Sequence, residues 1–151
     1  MLAIKYRQEF LVTFVPDVLE LVERDWLEVQ HDSSTSKLDP DWESYKLLED
    51  NKSLYIFTCR DSDKLVGYFT VFILPNLHSK GSTRAVNDAI FLDKPYRKGL
   101  VGFKMMKFAE SCIRDDGHRM LSVSTTEVNP IDSLMVRLGY YKVSTSFEKV
   151  L

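Results

Sequence analysis

The residue pattern predicts a single α/β domain with a mixed sheet, in the order β-α-α-β-β-β-α-β-α-β. Three observations carry that expectation. Helical and strand periods alternate along the chain. Three β-branched and aromatic segments, 53–60, 64–74 and 84–92, follow one another with only a hairpin-length turn and one polar connection between them. A strongly amphipathic helix comes next, before strand character returns. The 151 residues, 44% apolar and 28% charged, have the size and composition of one globular domain.

Residues 2–6 read as a short first strand. Pro16 is expected to open the first helix, with Val18, Leu19, Val22, Trp26 and Val29 on one face and Asp17, Glu20, Glu23 and Arg24 on the other. The Ser-, Thr- and Asp-rich segment 31–40 is punctuation. A second helix follows, with Asp39 as N-cap, Pro40 in the first turn and Trp42, Tyr45 and Leu48 as its apolar stripe. RDSDK, 60–64, is the hairpin turn, and 75–83 is a polar connection. The amphipathic helix runs from about Leu100 to Arg114, with Lys104, Lys107, Ser111 and Arg114 as its polar stripe and Gly117 as a left-handed stop. A strand is expected over 120–126. Asn129 as N-cap and Pro130 at the first position then start a last helix that Gly139 closes. Residues 140–150 read as a closing strand, one able to pair across a dimer.

Twenty basic against 22 acidic residues leave a net charge of −2, and no basic block exceeds two residues. Both argue against nucleic acid as a partner. The N-terminus has no apolar h-region and no long apolar run occurs, so a cytoplasmic protein without a membrane partner is expected. Cys59 and Cys112 form neither a disulfide framework nor a Cys-x-x-Cys clip and read as two buried thiols. His31, His78 and His118 sit in loop-like segments without metal-binding spacing, so they are expected exposed and no metal site is expected. No Gly-x-Ser-x-Gly elbow supports a serine hydrolase.

The chemically informative stretch is 89–110: strand, a short loop holding Arg97, Lys98, Gly99 and Gly102, then the amphipathic helix. A helix N-terminus leaves N–H groups unpaired beside a partial positive charge, and glycines let an anion approach the backbone. The loop is therefore an anion cradle, or simply a glycine turn. It is neither a P-loop nor a Gly-x-Gly-x-x-Gly fingerprint.

In context, this stretch resembles the acetyl-CoA-binding core of GNAT-type N-acetyltransferases, whose loop has the form Arg/Gln-x-x-Gly-x-Gly/Ala. Arg97-Lys98-Gly99-Leu100-Val101-Gly102 fits at its first and last positions, and the order of strands and helices matches over most of the chain. The segments 38–50 and 135–143 resemble small phage and bacterial members. The central loop glycine of that family falls on Leu100, with Gly99 one residue early.

The resemblance implies a mostly antiparallel sheet with a splayed parallel pair, 84–92 and 120–126. Acetyl-CoA would be the donor, its pantetheine paired with the backbone of Ile90, Phe91 and Leu92 and its pyrophosphate on the N–H groups of Arg97, Lys98, Gly99, Leu100, Val101 and Gly102. Asn129 is counted among the cofactor contacts. Asp88, the carboxylate inside the fourth strand, is the candidate base, which an alkyl amine of pKa ~10.4 needs because only about one in a few thousand is neutral at pH 7. The family's tyrosine acid falls on Met135, which cannot donate a proton. Ser133, Tyr140 and Tyr141 lie nearby without occupying that position, and Ser133 joins Asp88 as a candidate catalytic residue. His78 overhangs the acceptor side, and Trp42 and Tyr45 either pack or wall the acceptor cleft. The activity implied is acetyl transfer to an amine on a small molecule or a protein, by a monomer or homodimer. The alternative is a catalytically weak fold that binds CoA or a protein partner.

Overall fold

The computed structural model describes residues 3–29 and 37–151; the expectations for Leu2 and for residues 30–36, His31 among them, lie outside these. The elements are β1 (Ile4–Glu9), α1 (Leu11–Val29), α2 (Trp42–Asp50), β2 (Leu54–Asp61), β3 (Lys64–Pro75), β4 (Thr83–Leu92), a 3₁₀ turn (Lys94–Tyr96), α3 (Val101–Asp115), β5 (Leu121–Ser122) and α4 (Asp132–Leu138). The sheet order is β1-β2-β3-β4-β5, antiparallel except for the parallel β4–β5 pair. This is the α/β fold with a mixed sheet that the residue pattern predicts. No described helix is long and apolar enough to cross a membrane.

Helices cover both faces of the sheet, which is why β3 is buried almost without interruption. On one face Phe57, Val66, Phe69, Val71 and Ala85 pack under Met105, Met106, Ala109 and Ile113 of α3 and Met135 and Leu138 of α4. On the other, Ile56, Leu65, Tyr68 and Phe91 pack under Leu11, Phe14, Val18 and Leu21 of α1, with Trp42, Tyr45 and Leu48 of α2 at the margin. The polar stripe of α3 faces solvent, and Gly117 and Gly139 adopt the left-handed conformation expected of helix ends.

Several boundaries differ from expectation. Helix α1 starts at Leu11, so Pro16 lies inside it rather than opening it. The Phe10 carbonyl accepts the N–H groups of Thr13 and Phe14, and Glu49 Oε1 of α2 accepts the Leu11 N–H at 2.7 Å, so partners outside the helix hold its first turn. The buried row is Leu11, Phe14, Val18, Leu21 and Asp25, while Leu19 is 53% exposed. The α2 cap is Asp41, whose Oδ1 accepts the Ser44 N–H, rather than Asp39. Cys59 is buried and Cys112 half-buried, both free; burial pushes the Cys59 thiol up to about 12. His118 is half-buried rather than exposed, with Nδ1 2.8 Å from Thr83 Oγ1.

The largest departures are C-terminal. Only Leu121 and Ser122 of the expected strand 120–126 pair with β4. Thr125 Oγ1 accepts the Ile131 N–H and Thr126 Oγ1 accepts the Asn129 N–H, so α4 begins two residues late, capped by Ile131 and not by Asn129. Residues 140–150 form no strand: beyond Tyr140 the chain meets no ladder partner and every side chain is exposed.

Candidate active site

Two irregularities in the ladders shape the cleft. The β2–β3 register runs Cys59↔Gly67, then Arg60↔Leu65. Gly67 brings β3 close against β4: a Cβ there would lie 2.7 Å from Leu92 Cδ1 and 2.9 Å from the Phe91 carbonyl oxygen. The β3–β4 register runs Thr70↔Ala89, then Val71↔Asn87, which leaves Asp88 as the extra residue of a bulge in β4. The Ala89 N–H donates instead to Thr70 Oγ1 at 3.1 Å.

Immediately beyond the last β4–β5 backbone pair, Val86↔Ser122, the strands part. The Ser124 N–H donates to Asn87 Oδ1 at 2.7 Å. A side chain therefore stands where a strand carbonyl would, which holds β5 away from β4. Past this wedge the β5-facing edge of β4, at Asp88, Ile90 and Leu92, is not paired to a strand. The expected splay is present, and Asn87 supports it.

The donor side of the cleft is main chain. Asp93 accepts the Lys94 N–H and a 2.8 Å bond from Arg24 Nη1, anchoring the turn after β4 to α1. Gly99 sits at φ +79°, a left-handed conformation that β-carbon-bearing residues rarely adopt. Leu100 caps α3 without a side-chain bond. Among the described residues, no acceptor meets the N–H groups of Lys98, Gly99, Leu100, Val101, Gly102 or Phe103. Arg97 differs: its N–H donates to the Lys94 carbonyl at 3.2 Å, so the free row begins at Lys98. A Cβ on Gly102 would lie 3.5 Å from Leu92 Cδ2 and 3.9 Å from Leu134 Cδ2, ordinary contacts. The protein's own packing thus does not require a glycine there. Unpaired donors at the start of α3 and an open strand edge beside them fit a phosphate-bearing thioester ligand.

The Arg97 side chain is also engaged. Its Nε donates to the Leu92 carbonyl at 2.6 Å, its Nη2 to Glu28 Oε2 at 2.6 Å, and its guanidinium carbon lies 5.4 Å from the Phe91 ring centroid. Asn129 Nδ2 donates to the same Glu28 oxygen at 3.2 Å. One carboxylate of α1 thereby joins the loop after β4 to the loop before α4. Asn129 serves this bridge instead of a helix cap; of the three backbone positions Phe91 faces β3 and the Leu92 carbonyl is taken by Arg97, which leaves Ile90 on the open edge.

The acceptor side is built of side chains. Asp88 Oδ2 accepts 2.6 Å from Tyr45 Oη and 2.9 Å from Thr70 Oγ1. The Tyr45 ring lies 5.5 Å from Trp42 and 6.0 Å from Phe72, so these aromatics both pack and wall the cleft. Below them Tyr68 Oη donates 2.6 Å to Asp25, a carboxylate only 8% exposed. Burial, with the charges of Glu28 and Asp88, pushes Asp25 up to about 6 against the Tyr68 bond and Arg97. Asp25, Tyr68, Thr70, Glu28 and Asn87 were not singled out by sequence. Asp25 alone left a signal, a carboxylate four residues beyond Leu21 on the buried row of α1.

None of Met135, Ser133 and His78 hydrogen-bonds to Asp88 among the described residues. Met135 is buried in the main core. Ser133 is exposed on α4, with no hydrogen bond to Asp88 or the loop among the described residues. His78 is exposed in the β3–β4 connection. No group of three His, Cys, Asp or Glu residues suited to a metal occurs among the described residues.

Comparison with curated protein sequences gives no match. Among solved structures, the chain is similar to a ribosomal-protein-alanine N-acetyltransferase from Brucella melitensis biovar Abortus 2308 (14% identity, 99% of each chain, TM-score 0.73). It is similar also to glucosamine-6-phosphate N-acetyltransferase from Arabidopsis thaliana (14% identity, 98% of each chain, TM-score 0.72). A third is an aminoglycoside acetyltransferase from an uncultured soil metagenomic sample (15% identity, 98% of this chain and 96% of that one, TM-score 0.70). These likenesses show the fold. A family model described as the Acetyltransferase (GNAT) family matches residues 15–140. With that match across most of the chain, the protein belongs to the GNAT acetyltransferases, the acetyl-CoA-dependent N-acetyltransferases.

Proposed function

We propose that the protein acetylates a primary amine by direct attack on the thioester of acetyl-CoA, with Asp88 drawing off the amine proton. The observation that carries this reading is the bulge. It sets a carboxylate where β4 leaves β5, one oxygen tied to Tyr45 and Thr70 and the other without a partner among the described residues. The bound donor supplies an activated acetyl group. The N–H groups of Lys98 to Phe103 would hold its pyrophosphate, and the open edge near Ile90 would hold its amide chain. Trp42, Tyr45 and Phe72 hold the acceptor over Asp88, which takes the proton directly or through one water. With Met135 in the core, the departing thiol leaves as its thiolate without a dedicated acid.

The acceptor is an amine on a small molecule or a protein. Likeness to enzymes named for aminoglycosides and for glucosamine-6-phosphate supports a small molecule. Two free thiols fit a reducing compartment, and we place the protein in the cytoplasm. Met135 favours a second reading, a fold that binds CoA without turnover. Release of free thiol from acetyl-CoA with a panel of amines separates the two. Turnover that collapses in Asp88→Asn supports the proposal. An unchanged rate in that variant removes Asp88 from its role, and binding of acetyl-CoA without thiol release for any amine of the panel favours the second reading.

A further inference from the structure

Glu28, in the last turn of α1, is bonded to both sides of the cleft. Its Oε2 accepts Arg97 Nη2 at 2.6 Å from the loop after β4 and Asn129 Nδ2 at 3.2 Å from the loop before α4. Each partner is itself anchored: Arg97 Nε to the Leu92 carbonyl at 2.6 Å, and the Asn129 N–H to Thr126 Oγ1 at 3.2 Å. One turn earlier on α1, Arg24 Nη1 donates to Asp93 at 2.8 Å. Two opposite charges four residues apart on the helix thus meet two opposite charges four residues apart after β4. At the other end of the cleft the Ser124 N–H donates to Asn87 Oδ1. These bonds, with the chain of residues 87–92 and 124–129, close a circuit around the gap between β4 and β5. The open edge at Ile90 lies inside it.

A donor with its phosphates on the N–H row of α3 and its thioester at Asp88 runs along that edge, from the face α3 covers to the face α1 and α2 cover. It therefore passes through the circuit. One corner can open without disturbing the backbone. Residues 87–92 and 124–129 are continuous chain and the Asn87 bond holds a main-chain N–H, whereas Glu28 meets both partners side chain to side chain. We propose that Glu28 is the latch of the cleft: its bridge to Arg97 and Asn129 opens to admit the donor and closes again behind the donor's amide chain. The inference rests on the donor path of the proposed function and adds the step that limits entry and exit. The Glu28 and Arg97 side chains are 20% and 31% exposed, so water takes over their bonds while the corner is open. The same bonds break on the way in and on the way out, and they are present before and after. The latch therefore slows association and release alike and leaves the equilibrium nearly unchanged.

Stopped-flow measurement of CoA association and dissociation tests it, on the wild type, Glu28→Ala, Glu28→Gln and, as a control on the same helix, Glu20→Ala. Glu20 is 82% exposed and bonds only to Arg24 among the described residues. Circular dichroism checks that each variant folds. Glu28→Ala should speed both rates about 10-fold, the worth of a charged hydrogen bond, and leave the dissociation constant within about threefold of the wild type. Glutamine keeps the accepting oxygen without the charge, so Glu28→Gln should fall between, and Glu20→Ala should match the wild type. A change confined to one of the two rates would mean that Glu28 acts through its charge or on the shape of the bound site, and would overturn the latch. Unchanged rates at unchanged affinity would overturn it too, with the donor path left standing. No binding of CoA by the folded wild type would overturn the donor path and the latch together.

Discussion

The two sides of the cleft between β4 and β5 are built from opposite materials. The donor side consists of backbone groups left without partners among the described residues, the N–H row of Lys98 to Phe103 and the free edge of β4. The acceptor side consists of side chains tied to one another, Tyr45 and Thr70 to Asp88 and Tyr68 to Asp25. Open main-chain donors suit a ligand that is the same for every member of the family, because they ask of the sequence only that nothing fill the space. Interlocked side chains suit a ligand that differs from member to member. Substitutions should accordingly separate into those that affect donor binding and those that affect turnover or the scaffold beneath.

The largest effect is expected at Asp88. Asp88→Asn should lower kcat/KM for the amine by about 10²–10⁴, the range for a lost general base, with acetyl-CoA affinity unchanged. Steady-state kinetics beside a binding titration would show the split, and a parallel loss of affinity would blur the two sides. Next is Gly67→Ala, which forces a Cβ against the Phe91 carbonyl where β3 meets β4. It should cost about 1–3 kcal/mol in urea unfolding, since the neighbour that must yield is backbone.

Asp25→Asn should act through pH. The free carboxyl value is 3.8 and the folded value about 6, so the folded state holds the proton more tightly. The wild type's contribution is complete below pH 4, is lost as pH rises towards 6, and stays lost above. The variant lacks that loss, so at pH 8 it should be the more stable by up to about 3 kcal/mol, provided asparagine keeps the Tyr68 bond. Thermal melts at pH 4 and pH 8 would show the gap opening with pH; a constant gap would mean Asp25 is ionised in both states. The smallest effect is expected from Tyr45→Phe. Loss of one hydrogen bond to Asp88 should reduce kcat/KM about fivefold, again without change in donor affinity.

The contrast between the two sides also explains what the sequence made legible. Periodicity identified α2, α3 and the β2–β3–β4 meander because each is amphipathic or β-rich over its own length. The cradle was legible because Gly99, Gly102 and the start of α3 are neighbours in the chain. Tyr45 with Asp88, and Asp25 with Tyr68, are each 43 residues apart, and no local pattern announces such bonds. The bulge at Asp88 arises from the register of β4 on β3, which is a property of the pair. Helix α1 was misread because Pro16 is a strong local signal that Glu49, on another helix, overrides. Residues 140–150 carry a true strand pattern, but a strand needs a neighbour and none of the described residues pairs with them.

Calorimetric titration of acetyl-CoA into the wild type, Gly102→Trp and Asp88→Asn tests the division of the cleft most directly. A Cβ at position 102 meets only ordinary contacts, at Leu92 and Leu134, and circular dichroism checks that the larger indole leaves the protein folded. Low-micromolar binding by the wild type and by Asp88→Asn, weakened at least about 100-fold in folded Gly102→Trp, is the predicted result. Equal binding by all three, or none by a folded wild type, would contradict it.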